Sequence, residues 1–74
     1  MISIWETEPF AIKYVYDIER NFIPDFLVEY KNGNKELIEI HPKGLIGEKE
    51  KSKYTAAQEW CIKNNVNWRL ITEL

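Results

Sequence analysis

The class this chain predicts is α/β: a mixed β-sheet with elements in the order βββαβ and one main helix packed on it. Three observations predict it. Two strand-like runs meet at an Asn-Gly turn around Gly33. One helical stripe follows over residues 48–64, and one more short apolar run comes after Asn64-Asn65. A helix set between two strands commonly makes a right-handed crossover that packs on the sheet.

The elements follow in order. Phe10, Ile12, Tyr14 and Tyr16 alternate with Ala11, Lys13 and Val15, the period-2 pattern of a half-buried strand over residues 10–17. Asp17 to Asn21 is polar and reads as a turn. Phe22 to Tyr30 resumes the strand pattern, with Pro24 at a strand start, edge or bulge because proline cannot donate to a ladder. Lys31-Asn32-Gly33-Asn34-Lys35 is a hairpin signal, since Asn-Gly tolerates positive φ. Glu36 to His41 makes the next strand, with Leu37, Ile38 and Ile40 as its apolar members, and Pro42 and Gly44 end it. Leu45 to Gly47 is a short loop. Glu48 to Asn64 then carries Tyr54, Ala57 and Cys61 on one helical stripe, widened by Ala56 and Trp60, with Lys49, Glu50, Lys53 and Glu59 mostly off it. Trp68 to Thr72 is the last strand.

Residues 1–74 read as one domain, near the lower size limit for a self-sufficient core. An apolar content of 45% and an aromatic content of 14% argue for a folded globule rather than a disordered segment. Chains this small often gain stability from a metal or a second subunit, so a homodimer is expected. No apolar stretch approaches the roughly 20 residues of a membrane span, and MISIWETEPF lacks a basic segment before an apolar run. The chain therefore reads as cytoplasmic, with no membrane partner. Cys61 stands alone, which excludes an intrachain disulfide and a cysteine-based zinc site, and it reads as a buried, inert thiol. Trp5, Trp60 and Trp68 read as core residues. Net charge is −2, which excludes a generically basic nucleic-acid binder. The distribution is uneven: residues 1–42 hold four basic and eight acidic side chains, and residues 43–69 hold six basic and three acidic. That asymmetry fits a cation site beside a phosphate-binding rim, and equally an ordinary solvated helix.

The carboxylates carry the chemistry. Asp25 opens the second strand and Glu39 lies near the exit of the third. For a turn centred on Gly33, residues whose numbers sum to about 66 pair across an antiparallel hairpin. Asp25 is then expected opposite position 41 and Glu39 opposite position 27, so that Asp25, Glu39 and His41 cluster at the open end. Period 2 puts Glu39 and His41 on one face. Two carboxylates converging at a sheet end repel unless a cation holds them, and hard oxygen donors suit Mg²⁺ or Mn²⁺.

Pro24-Asp25 followed by Glu39-Ile40-His41 resembles the PD-(D/E)xK motif of restriction-endonuclease-like nucleases, with His41 in the lysine position. The likeness extends outward: "IWETEPFAIKYVY" and "KYTAAQEWCIKNNVNWRLITEL" are similar to the flanking segments of TnsA-type transposon endonucleases and phage head-completion nucleases. The resemblance covers nearly the whole chain. It implies a minimal restriction-endonuclease-like core and metal-dependent hydrolysis of DNA phosphodiesters, with Mg²⁺ or Mn²⁺ and no small-molecule cofactor. It also implies a phage- or mobile-element-encoded protein acting in the host cytoplasm. By the same likeness Asp25 and Glu39 hold the cation with the Ile40 carbonyl, and Glu8 completes or orients the shell. His41, Lys43 or a helix lysine supplies the base or charge that the missing lysine would. Lys43, Lys49, Lys51 and Lys53 form the candidate DNA-binding rim, although Lys49, Lys51 and Lys53 also read as a solvated helix face. The other function classes left open are a degenerate nuclease fold that binds nucleic acid or protein without cutting, and a purely structural subunit. His41 favours the first of these, while Glu8, Asp25 and Glu39 argue against both.

Overall fold

The computed structural model describes residues 2–42, 44 and 46–72. Its elements are β1 (Ile2–Thr7), β2 (Ile12–Tyr16), β3 (Ile18–Phe22), β4 (Phe26–Tyr30), β5 (Lys35–Ile40), α1 (Glu48–Asn64) and β6 (Asn67–Ile71). The expected α/β class with a mixed sheet and one helix holds. The chain carries two strands more than expected. Asp17 to Asn21 is not one turn: Asp17 alone turns, at φ 67°, and Ile18 starts a strand that pairs back on β2. The polar Glu19, Arg20 and Asn21 belong to a two-stranded ribbon whose outer side faces water, so only Phe22 of β3 is buried. β1 is exposed along its whole length and shows no alternation to read.

The main sheet runs β1-β4-β5-β6. β4 is antiparallel to β1 and to β5, whereas β5 and β6 are parallel, joined through α1. A parallel pair needs such a crossover. The helix begins where the Glu50 carboxylate reaches back 2.9 Å to the Gly47 amide, satisfying one of the amides that a helix start leaves over. It ends at Asn65, in the left-handed region at φ 56°, with the Val66 amide 2.9 Å from the Cys61 carbonyl.

The core lies where α1 meets the ribbon and one face of the sheet. Ile12, Tyr14 and Phe22 come from the ribbon, Leu37 from the sheet, and Tyr54, Ala57 and Cys61 from the helix. Aromatic rings knit these pieces together: Tyr54 lies 5.8 Å from Trp68 and 5.9 Å from Phe22 between centroids, and Phe10 lies 4.5 Å from Trp60. Trp60 and Trp68 thus pack on the core as expected. Trp5 does not: it is 60% exposed on the opposite face of the sheet, beside Phe26. The lone Cys61 is buried, and burial pushes its thiol up to about 11. It is inert at neutral pH. Among the described residues no helix is long and apolar enough to cross a membrane.

Candidate functional site

The β4–β5 hairpin positions the site, and its turn sets the register. The Tyr30 amide donates to the Asn34 carbonyl at 2.8 Å and the Gly33 amide to the Tyr30 carbonyl at 2.9 Å, leaving a loop of Lys31, Asn32 and Gly33. Gly33 takes φ 91°, the positive-φ place that closes a three-residue loop, and the Asn32 side chain accepts from the Asn34 amide. The turn therefore centres on Asn32, one residue earlier than expected. The ladder pairs Phe26 with Ile38 and Leu27 with Leu37, which sets Asp25 against Glu39 rather than against position 41. This shift is even, so every side chain stays on its expected face.

At this open end the two carboxylates replace the ladder. The Asp25 amide donates to Glu39 Oε1 at 3.2 Å, and the Ile40 amide donates to Asp25 Oδ2 at 2.8 Å. Each acid reaches across to the other strand's backbone and retains a second oxygen. Glu39 shares the inward face with Leu37 and is only 8% exposed, the one charged residue in the buried set among the described residues. Burial first, and then the charge of Asp25, raise its carboxyl from about 4.5 to about 7. The Asp25 amide and the Lys53 ammonium pull the other way and do not win.

A stability prediction follows. In the unfolded chain Glu39 titrates in the ordinary carboxylate range, and in the folded chain near 7. A raised carboxyl contributes its full stability below the unfolded value and loses it as pH rises through the folded one. At about 1.4 kcal/mol per unit, discounted for water at the open end, the cation-free protein should lose on the order of 2 kcal/mol between about pH 5 and pH 8. Glu39→Gln should flatten that slope. Chemical denaturation across this range in the presence of chelator reads both, and an equal slope in wild type and variant would refute the assignment.

The other candidates fall into place around the pair. The Glu8 amide donates to the Asp25 carbonyl at 2.9 Å, so its backbone, at φ 45°, is fastened beside the site while its side chain is exposed. In a strand a residue's N–H and C=O point the same way, and the Ile40 N–H points at Asp25, so the Ile40 carbonyl opens toward it too. His41 is half-buried, its amide bound to the Ile71 carbonyl at 2.9 Å and its ring 6.2 Å from that of Tyr54. Lys43 lies outside the described residues. The three candidate helix lysines, Lys49, Lys51 and Lys53, divide. Lys51 pairs with Glu48 at 3.5 Å, and Lys49 is exposed. Lys53 folds over Phe22, 5.4 Å from its ring centroid, close enough for its charge to act on Glu39 and Glu50. Of the three, only Lys53 belongs to the same cluster as the carboxylates.

One neighbour carries no sequence signal beyond its place on the apolar stripe. The Tyr54 hydroxyl is buried without a hydrogen-bond partner among the described residues. Burial, then the charges of Glu39, Glu50 and Asp25, push it up to about 12.

Among the described residues no three His, Cys, Asp or Glu side chains form a ready-made cation cage. The donor set still fits a small hard cation. Mg²⁺ is usually bound through one or two carboxylates and keeps several waters, and Asp25 and Glu39 set two carboxylates side by side, the charge of Asp25 helping to raise the Glu39 carboxyl to about 7. Residues 1–73 match the model of a family described as TnsA-like endonuclease N terminal. No curated protein and no solved structure matches the chain.

Proposed function

The chain belongs to the TnsA-like endonuclease N-terminal family, which has a restriction-endonuclease-like fold, and from that membership we propose that it is a divalent-cation-dependent DNA endonuclease centred on Asp25 and Glu39. The observation that carries the reading is the opposition of these two carboxylates at the open end of the hairpin, one of them buried. Asp25, Glu39 and the Ile40 carbonyl would hold the cation, with Glu8, just past the end of β1, orienting the shell. A bound Mg²⁺ or Mn²⁺ supplies Lewis-acid polarisation of the phosphodiester and lowers the pKa of an attacking water.

The rest falls to the chain's own groups. His41, on the same inward face, takes the proton from the attacking water. Lys53 sets a positive charge beside the acidic pair and draws the phosphate toward it, with Lys49 on the rim. Lys51, paired with Glu48, contributes least. The test is incubation of the pure protein with supercoiled, linear and branched DNA in Mg²⁺ or Mn²⁺, with a chelator control. Cation-dependent nicking or cutting supports the reading, and intact DNA in every arm rejects it. His41 in the lysine position favours a second reading, a module that holds DNA without cutting. Intact DNA that is nevertheless retarded on a gel would establish it.

We further propose that a second copy covers the outer face of the sheet. Trp5, Phe26, Val28, Ile38, Ile40 and Ile71 line an apolar trough there, with Trp5 60% and Ile2 51% exposed. An exposed apolar face across four strands is the kind of patch that a second copy can cover about a two-fold axis, and two centres suit cleavage of both DNA strands. Sedimentation equilibrium at micromolar concentration should give about twice the 8.9 kDa chain mass. A strictly monomeric result would remove the dimer and weaken the case for double-strand cutting.

A further inference from the structure

The hydroxyl of Tyr54 is out of place in a core. Its ring is packed between Phe22, Trp68 and His41, the residue is 5% exposed, and its oxygen has no hydrogen-bond partner among the described residues. Phenylalanine would fill the same space without stranding a polar atom, and a buried hydroxyl left unpaired costs stability. The ring contacts fix where that oxygen can be used. Tyr54 stands one turn after Glu50 on the inward stripe of α1, against His41, whose strand carries Glu39 two residues earlier. Three acids, Glu39, Glu50 and Asp25, are near enough for their charges to act on the hydroxyl, Glu39 most strongly. A buried donor with no partner among the described residues therefore lies within electrostatic reach of three acids.

We propose that Tyr54 is a positioning residue of the carboxylate site: when a divalent cation is held by Asp25 and Glu39, the Tyr54 hydroxyl donates a hydrogen bond to that cation-bearing cluster and fixes its orientation. The inference rests on the cation-site reading above. A group that orients metal ligands typically affects cation affinity 10–100-fold, whereas a group that merely fills the core does not. The role also accounts for a tyrosine at a position whose packing needs only an aromatic ring.

The test is Mn²⁺ calorimetry on wild type and Tyr54→Phe, with thermal melts in chelator and a Mg²⁺-induced near-UV difference spectrum. The expected result has three parts. In chelator, Tyr54→Phe melts at the wild-type temperature or above it, because no hydrogen bond is lost. Its Mn²⁺ affinity falls about tenfold or more. Mg²⁺ shifts a tyrosine band in the wild type that is missing from the variant. Wild type and variant binding Mn²⁺ equally would overturn this role and leave the cation site standing. A wild type that binds no Mn²⁺ would overturn both. A variant that melts well below wild type in chelator would show that the hydroxyl already has a structural partner, which also ends the proposal.

Discussion

Asp25→Asn should abolish measurable Mn²⁺ binding and slow DNA cleavage by at least about 10³-fold, since the cation's contribution of several kcal/mol is lost at about 1.4 kcal/mol per decade. The substitution is chosen for what it leaves intact. Asn keeps a carbonyl oxygen that can accept from the Ile40 amide, the 2.8 Å bond that closes the hairpin. It removes only the charge that opposes Glu39 and helps push that carboxyl to about 7. In chelator at pH 8 the variant should therefore melt at the wild-type temperature or above it, because two like charges no longer share one hairpin end. Loss of binding and cleavage with stability preserved is the signature of a functional carboxylate. A turn residue that served only local amides would show the reverse, stability lost and cation binding unchanged, and calorimetry with Mn²⁺ beside a thermal melt separates the two.

The reach of the sequence can be judged residue by residue. The helix over 48–64 was legible because Tyr54, Ala57 and Cys61 recur at helical spacing, and they are its three buried residues. The carboxylate pair was legible because a hairpin returns the chain beside itself, whatever the details of the turn. Those details were not legible. Asn-Gly pointed to a turn centred on Gly33, but Gly33 serves as the closing positive-φ residue of a three-residue loop, and the pairing moved by an even step. An odd step would have turned Glu39 to the outer face and dissolved the site. β1 and β3 were missed for a related reason. Strands read from alternation must have one dry side, and β1 is exposed throughout while β3 buries only Phe22.

The neighbours of the carboxylate pair were harder still. A tyrosine on an apolar stripe reads as core, and Tyr54 is core; the stranding of its hydroxyl depends on which groups end near it in space. Likewise the spacing of Lys49, Lys51 and Lys53 describes a charged helix face. Only the fold shows that Lys53 turns over Phe22 toward Glu39 while Lys51 is engaged by Glu48. Composition marked the region as basic, but position within it came from packing.

His41→Ala should slow cleavage about 10²–10⁴-fold, the usual worth of a positioned proton-transfer group. His41 is half-buried, held by its amide to the Ile71 carbonyl, two residues beyond Glu39. Its charge state separates two mechanisms. A general base accepts the proton of the attacking water, whereas a phosphate clamp needs only a positive charge. His41→Lys tests the same point chemically by placing the family's residue at this strand position. It should retain or increase cleavage, and Mn²⁺ affinity should be unchanged in both variants because His41 holds no cation in this scheme. If His41→Ala cuts as fast as wild type, the proton leaves by another route. Lys53, whose charge already acts on Glu39, then becomes the residue to change next. If neither wild type nor His41→Lys cuts any DNA, the residue at position 41 is not what silences the site, the nuclease reading falls, and gel retardation of the intact DNA decides the binding-module reading.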